Sequence, residues 1–146
     1  MSQDQLEWLL QLGRIVFEGK ETPEEAAHRI GPVEQVVGDA LYVTPTDARY
    51  VRAIVHFDKQ HKLHSISIRA ADGQHISSMP ELEARLGHYD KGGRTQPFQP
   101  IGLSFTIDFD PKGSKICTLV AFVANDDQPV AAWRIQSVTL MADPKL

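Results

Sequence analysis

The chain has 146 residues, a formal charge of −4, and 42% hydrophobic against 23% charged residues. That length corresponds to roughly one domain, and a chain of this mass buries about two thirds of its extended surface, so no metal or disulfide staple is required to complete a core. The balance excludes disordered, collagen-like and coiled-coil chains, no apolar run approaches the ~18 residues that span a bilayer, and the acidic surplus argues against nucleic acid as a partner.

The surplus is concentrated at one end. Residues 1–39 hold eight acids and three bases, which reads as a solvated helical face, with attraction for a basic partner as the alternative. Met1 to Gln5 lack the basic start and apolar stretch of a secretory signal, so the expected location is cytoplasmic. Ser2 and Gln5 fit a capping box, and Leu6, Leu9, Leu10, Gly13 and Phe17 follow helical spacing to a stop near Gly19. Thr22, Pro23 and Glu25 start a second, short helix that ends at Gly31-Pro32.

From Asp39 the period changes from 3.6 to 2. Strands are expected at Ala40–Val43, at Val51–Phe57 and at Ser65–Ala70, the last two joined by the polar hairpin Asp58–Lys62. A third helix starts at Ser78 and stops at Gly87, and a long irregular connection runs from His88 to Pro100. Leu103 to Phe109 alternate again. Ile116 to Ala124 are apolar on both faces, which places them in the middle of a sheet, covered on both sides or facing a partner such as a second copy. Val130 to Met141 change phase by one residue, which predicts a bulge near Gln136-Ser137. The expected architecture is α+β: one domain over residues 1–146, with an N-terminal helix and two short helices on a mostly antiparallel sheet of about six strands.

The chain also resembles itself. Residues 22–31 parallel 78–87, each with a hydroxyl cap, a Glu at the box position and an Arg-aliphatic-Gly ending, and Val55-His56-Phe57-Asp58 parallels Ile107-Asp108-Phe109-Asp110. This suggests pseudo-repeats over 22–74 and 78–126; one α+β domain whose short helices share good caps is the alternative. Through Thr22, Glu25 and Gly31, and Ser78, Glu81 and Gly87, residues 22–126 resemble the tandem helix–sheet modules of the β-lactamase inhibitor protein family. Small cytoplasmic immunity proteins of bacterial toxin systems look broadly similar. The resemblance implies a protein that binds and blocks another protein through its sheet face or loops. The single cysteine and the missing secretion signal depart from a secreted inhibitor and leave an intracellular one open.

Reactive groups are scattered. His56, His61 and His64 surround one hairpin, and with Asp58 could offer zinc three ligands, but the spacing matches no metal motif and reads more simply as an exposed hairpin. Cys117 lies in an apolar strand without an adjacent base. Asp108 and Asp110 read as turn chemistry. No nucleophile, base and orienting group come together, so neither catalysis nor a cofactor is expected. For binding, Tyr, Trp and Arg lead interface hot spots, which singles out Tyr50, Arg52, Tyr89, Arg94, Phe98, Trp133 and Arg134. The function expected is a cytoplasmic immunity protein that occludes the active site of a toxin or effector, with no nucleic acid or membrane partner and a homodimer left open. The alternative is a small α+β enzyme or ligand carrier with a pocket using His56, His64 or Asp108.

Overall fold

A computed structural model describes residues 3–91 and 101–145. In chain order these form α1 (Gln3–Glu18), α2 (Pro23–His28), β1 (Val33–Val37), β2 (Ala40–Val43), β3 (Tyr50–Phe57), β4 (Leu63–Ala70), β5 (Ser77–Ser78), α3 (Met79–Leu86), β6 (Tyr89–Lys91), β7 (Ile101–Ile107), β8 (Lys115–Val123), a single 3-10 turn (Val130–Ala132) and β9 (Arg134–Pro144). The protein is α+β, with nine strands in place of about six. The three additions are short or peripheral: β5 has two residues, β6 three, and β1 is an edge strand exposed along most of its length. An edge strand has no buried face to impose a period of two, so its sequence shows none.

The strands run in the order β1-β2-β3-β4-β9-β8-β7-β6, with β5 also on β9, and every pair is antiparallel. One row of apolar side chains crosses all eight lanes: Val36, Leu41, Val55, Ile66, Leu140, Leu119, Phe105 and Tyr89, each opposite the next. The six between the ends are buried. All three helices lie on this side: α1 over β4, β9 and β8, α2 over β2 and β3, and α3 against β5, β7 and the 3-10 turn.

The local chemistry expected at the helix ends is present. Thr22 Oγ1 accepts from the Glu25 amide at 3.1 Å while the Glu25 carboxylate accepts from the Thr22 amide at 3.0 Å, and Ser78 Oγ accepts from the Glu81 amide at 3.4 Å. The capping box expected at Ser2 lies outside the described residues. Gly19, at φ +64°, ends α1, and Lys115 Nζ donates to the Phe17 carbonyl at 2.8 Å there. Arg85 pairs with Glu7 and ties α3 to α1.

The two pseudo-repeats differ from expectation in an informative way. Helix α2 precedes the meander β1–β4, α3 precedes the strands β6–β9, and the two sets meet at β4 and β9. The second set therefore runs to Pro144, past residue 126. Val55–Asp58 closes the third strand of its set, whereas Ile107–Asp110 closes the second, so that match joins positions that are not equivalent. The two terminating glycines also act for different reasons. Gly87 has φ +85°, whereas a Cβ on Gly31 would lie 2.0 Å from the Thr44 carbonyl oxygen.

Three further expectations are corrected or sharpened. Strand β8 is interior, but helices cover only the face carrying Cys117, Leu119, Ala121 and Val123; Ile116, Thr118, Val120 and Phe122 are half-buried on the other. Residues 130–132 form a 3-10 turn, so β9 begins at Arg134. The bulge near Gln136 is present, as the β8 partners Phe122 and Val123 pair with Ser137 and Ile135 and skip Gln136. Gly31→Ala must push the backbone at Thr44 and Thr46, just past β2, away from the turn that follows α2 and is expected to cost about 2–3 kcal/mol, read as a lowered urea or thermal midpoint; an unchanged midpoint would contradict the close approach.

Candidate functional site

The face of the sheet turned away from the helices is built by the residues that alternate with the core row. Its central row reads Tyr42, Ile54, Ser67, Thr139, Val120 and Ser104 across β2, β3, β4, β9, β8 and β7. Flanking rows are Arg52, Arg69, Ser137, Phe122 and Gly102 on one side, and His56, Ser65, Met141, Thr118 and Thr106 on the other. The Ser67 and Thr139 hydroxyls meet at 2.9 Å where the two sets of strands join, and Thr118 Oγ1 donates to Asp143 at 2.8 Å. Tyr42, Ile54, Val120, Phe122 and Met141 are all half-buried.

Of the residues singled out from the sequence, two belong to the core. Tyr50 is buried, accepts from Gln5 Nε2 at 3.3 Å and stacks on Trp8 at 5.1 Å, and burial pushes its phenol above the ordinary value. Trp133 is 5% exposed and donates Nε1–H to the Gln128 carbonyl at 2.8 Å. Both supply apolar area beneath the helices, so their rings are not offered to a partner. Arg52 and Arg134 are exposed, and Tyr89 is half-buried against Phe105 at 5.6 Å between ring centres. Arg94 and Phe98 lie outside the described residues.

The reactive side chains are not brought together. His56 stands opposite Ser65, while His64 falls in the irregularity beside Phe57, so the two do not face each other. His61, at φ +62°, packs against Phe57 and contacts both Glu24 oxygens, at 2.9 and 2.8 Å. Asp108 pairs with Lys145 at 3.2 Å on the far side of three intervening strands from His56, roughly 19 Å away at 4.7–4.9 Å per lane. Asp110 closes its turn by accepting from the Lys112 amide at 3.2 Å. Cys117 contacts the Gly13 carbonyl, and burial pushes its thiol up to about 12, which keeps it protonated and unreactive. Among the described residues no group of three or more His, Cys, Asp or Glu could hold a metal ion, and no helix is long and apolar enough to cross a membrane.

The sheet-face residues Tyr42, Ile54, Arg69, Phe122 and Met141 are not among those singled out from the sequence as large amphipathic side chains in loops and sheet faces. Their signal was the strand alternation itself, which already set Ser65, Ser67 and Arg69 opposite Ile66 and Ile68.

The class defined by these features is an α+β protein with helices on one face of a broad antiparallel sheet and the other face open. No family model and no curated protein matches the chain. A solved structure that it resembles is that of a DUF4309 family protein (YjgB) from Bacillus subtilis, with a TM-score of 0.57 and 17% identity over 97% of this chain and all of that one. At that identity the likeness concerns the fold.

Several exposed carboxylates are held in their charged form. The hydrogen bond from His61 lowers the Glu24 carboxyl below its usual 4.5, Arg49 lowers Asp47, and amide donors lower Glu25 and Asp58. A folded-state value below the unfolded one adds stability that is present above the unfolded value and lost as pH falls through the folded one. The thermal midpoint is therefore expected to fall steadily between about pH 5 and pH 3, and less so in Glu24→Gln; a midpoint constant over that range would contradict these contacts.

Proposed function

We propose that the chain is a protein-binding inhibitor, of the kind that serves as an immunity protein, and that it acts by laying its open sheet face over the active site of a toxin or effector. The observation that carries this reading is the composition of that face. Half-buried Tyr42, Ile54, Val120, Phe122 and Met141 sit among hydroxyls and arginines, and an apolar centre with a polar surround is the anatomy of a recognition surface. Seven lane spacings of about 4.8 Å by three rows at about 6.7 Å intervals give roughly 34 × 13 Å between the outermost Cα positions, to which the side chains at the rim add, against a standard partner footprint of ~800 Å².

Occlusion needs a rigid surface rather than a reactive one. A sheet hydrogen-bonded through eight lanes and backed by helices changes shape little on binding, which limits the ordering cost of association. The acidic surplus of residues 1–39 is carried largely by α1 and α2, on the other side of the sheet, so long-range attraction and the contact surface are separate parts of the molecule.

The test is co-expression with the polypeptide encoded by the adjoining reading frame, scoring growth and binding. Wild type is expected to protect. Val120→Arg and Thr139→Arg, in the centre of the face, are expected to abolish protection and weaken binding by about 100-fold or more, while Glu83→Arg on α3 leaves both intact. Protection that survives both central substitutions would overturn the reading, as would turnover of a small compound that is lost on replacing His56 or Asp108.

A further inference from the structure

The register places Arg52 of β3 directly opposite Arg69 of β4. Residues so placed hold their Cβ atoms roughly 4.5–5.5 Å apart, and like charges there are destabilising. Both side chains are exposed, and among the described residues neither guanidinium has an ion pair, a hydrogen bond or an aromatic ring to rest on. The contrast lies within the same molecule. Arg29, Arg49 and Arg85 each find a carboxylate, and Arg14 lies over the Phe109 ring. Arg134 at the start of β9, the lane beside β4, is exposed as well. An arrangement that costs the fold stability and receives nothing back within the chain marks a surface kept for another purpose.

The surroundings say what purpose. The arginine row continues through Ser137 to half-buried Phe122, and the adjacent row holds the Ser67–Thr139 hydroxyl pair. Two guanidinium forks side by side match a carboxylate, which each can bind through two parallel hydrogen bonds. We propose that the Arg52–Arg69 pair anchors an acidic segment of a partner protein, a Glu or Asp side chain seated between the two guanidiniums with the apolar part of that segment against Phe122. The inference rests on the reading of this face as protein-binding and adds the partner's chemistry to it. A polyanion is a poorer match. A nucleic-acid site typically neutralises six to ten phosphates, and a chain of net charge −4 repels a long polyanion or an anionic bilayer, whereas one carboxylate needs only this pair.

The experiment compares the full chain with Arg52→Ser, Arg69→Ser and the double variant, using a labelled, end-capped peptide that carries one glutamate beside a phenylalanine at low ionic strength, thermal unfolding and the co-expression assay. Wild type is expected to bind the peptide, each single variant about tenfold more weakly, and the double variant not at all. The thermal midpoints of the variants should equal or exceed that of wild type, because a repulsion has been removed. Equal peptide binding by wild type and double variant would overturn the proposal, as would a lowered midpoint, or a preference for single-stranded DNA or phosphatidylserine vesicles over the peptide. Protection that persists in the double variant overturns the arginine anchor and leaves the inhibitor reading standing. Arginine-dependent peptide binding without protection by wild type overturns the inhibitor reading and leaves the anchor standing.

Discussion

The structure depends on one line of side chains. Val36, Leu41, Val55, Ile66, Leu140, Leu119, Phe105 and Tyr89 lie opposite one another across eight strands, and that line fixes every register at once. A slip of one residue in any strand would carry its member to the open face and bring a polar neighbour inward. Burying each large apolar member is worth about 1.5–3 kcal/mol relative to exposure, so a slip is opposed separately in each of the six lanes between the edges, whose members are buried. The helices take their positions from the same line. Gly13 lets α1 approach so closely that a Cβ there would sit 3.3 Å from Cys117 Sγ, and Leu9 and Leu12 are buried with the row's interior members in one core.

Much of this was legible because burial on one face writes itself into the sequence. The alternation of Val51 to Phe57, Ser65 to Ala70 and Leu103 to Ile107 placed the strands. The capping chemistry at Thr22 and Ser78 placed two helices, and the change of phase after Ile135 placed the bulge. What escaped were elements whose sequences carry no such constraint. Strand β1 is almost wholly exposed, and β6 has three residues; each exists because a neighbouring strand offers a free edge. Tyr50 and Trp133 escaped for the opposite reason. Each ring has a polar atom that finds a partner in the interior, Gln5 for one and the Gln128 carbonyl for the other, and from sequence such a residue cannot be told from one that meets a partner.

The candidate site was half legible for a related reason. Sequence showed that Ser65, Ser67 and Arg69 share a face, but not which faces of neighbouring strands join it. That depends on lane order, and β4 and β9, nearly seventy residues apart, are adjacent only because the two sets of strands meet there. The arrangement brings Ser67 against Thr139 and Arg69 beside Ser137. No local motif encodes either contact. By the same logic His56 and Asp108, both accessible, belong to lanes too far apart to act on one substrate together.

The two faces also divide the electrostatic work. Carboxylates on the helix side and in the hairpin loop are matched within the chain: Glu7 by Arg85, Glu21 by Arg29, and Glu24 by His61. These pairs are exposed and individually weak, but they position one element on another, α3 on α1 and the β3–β4 hairpin on α2. On the open face the pairing stops, and Arg52 and Arg69 confront each other. A fold selected for stability alone would place opposite charges, or a threonine pair, at those two positions, since such cross-strand partners each contribute roughly 0.2–1 kcal/mol. Ion pairs thus join elements of the chain on the helix side, whereas among the described residues Arg52 and Arg69 on the open face have no such partner.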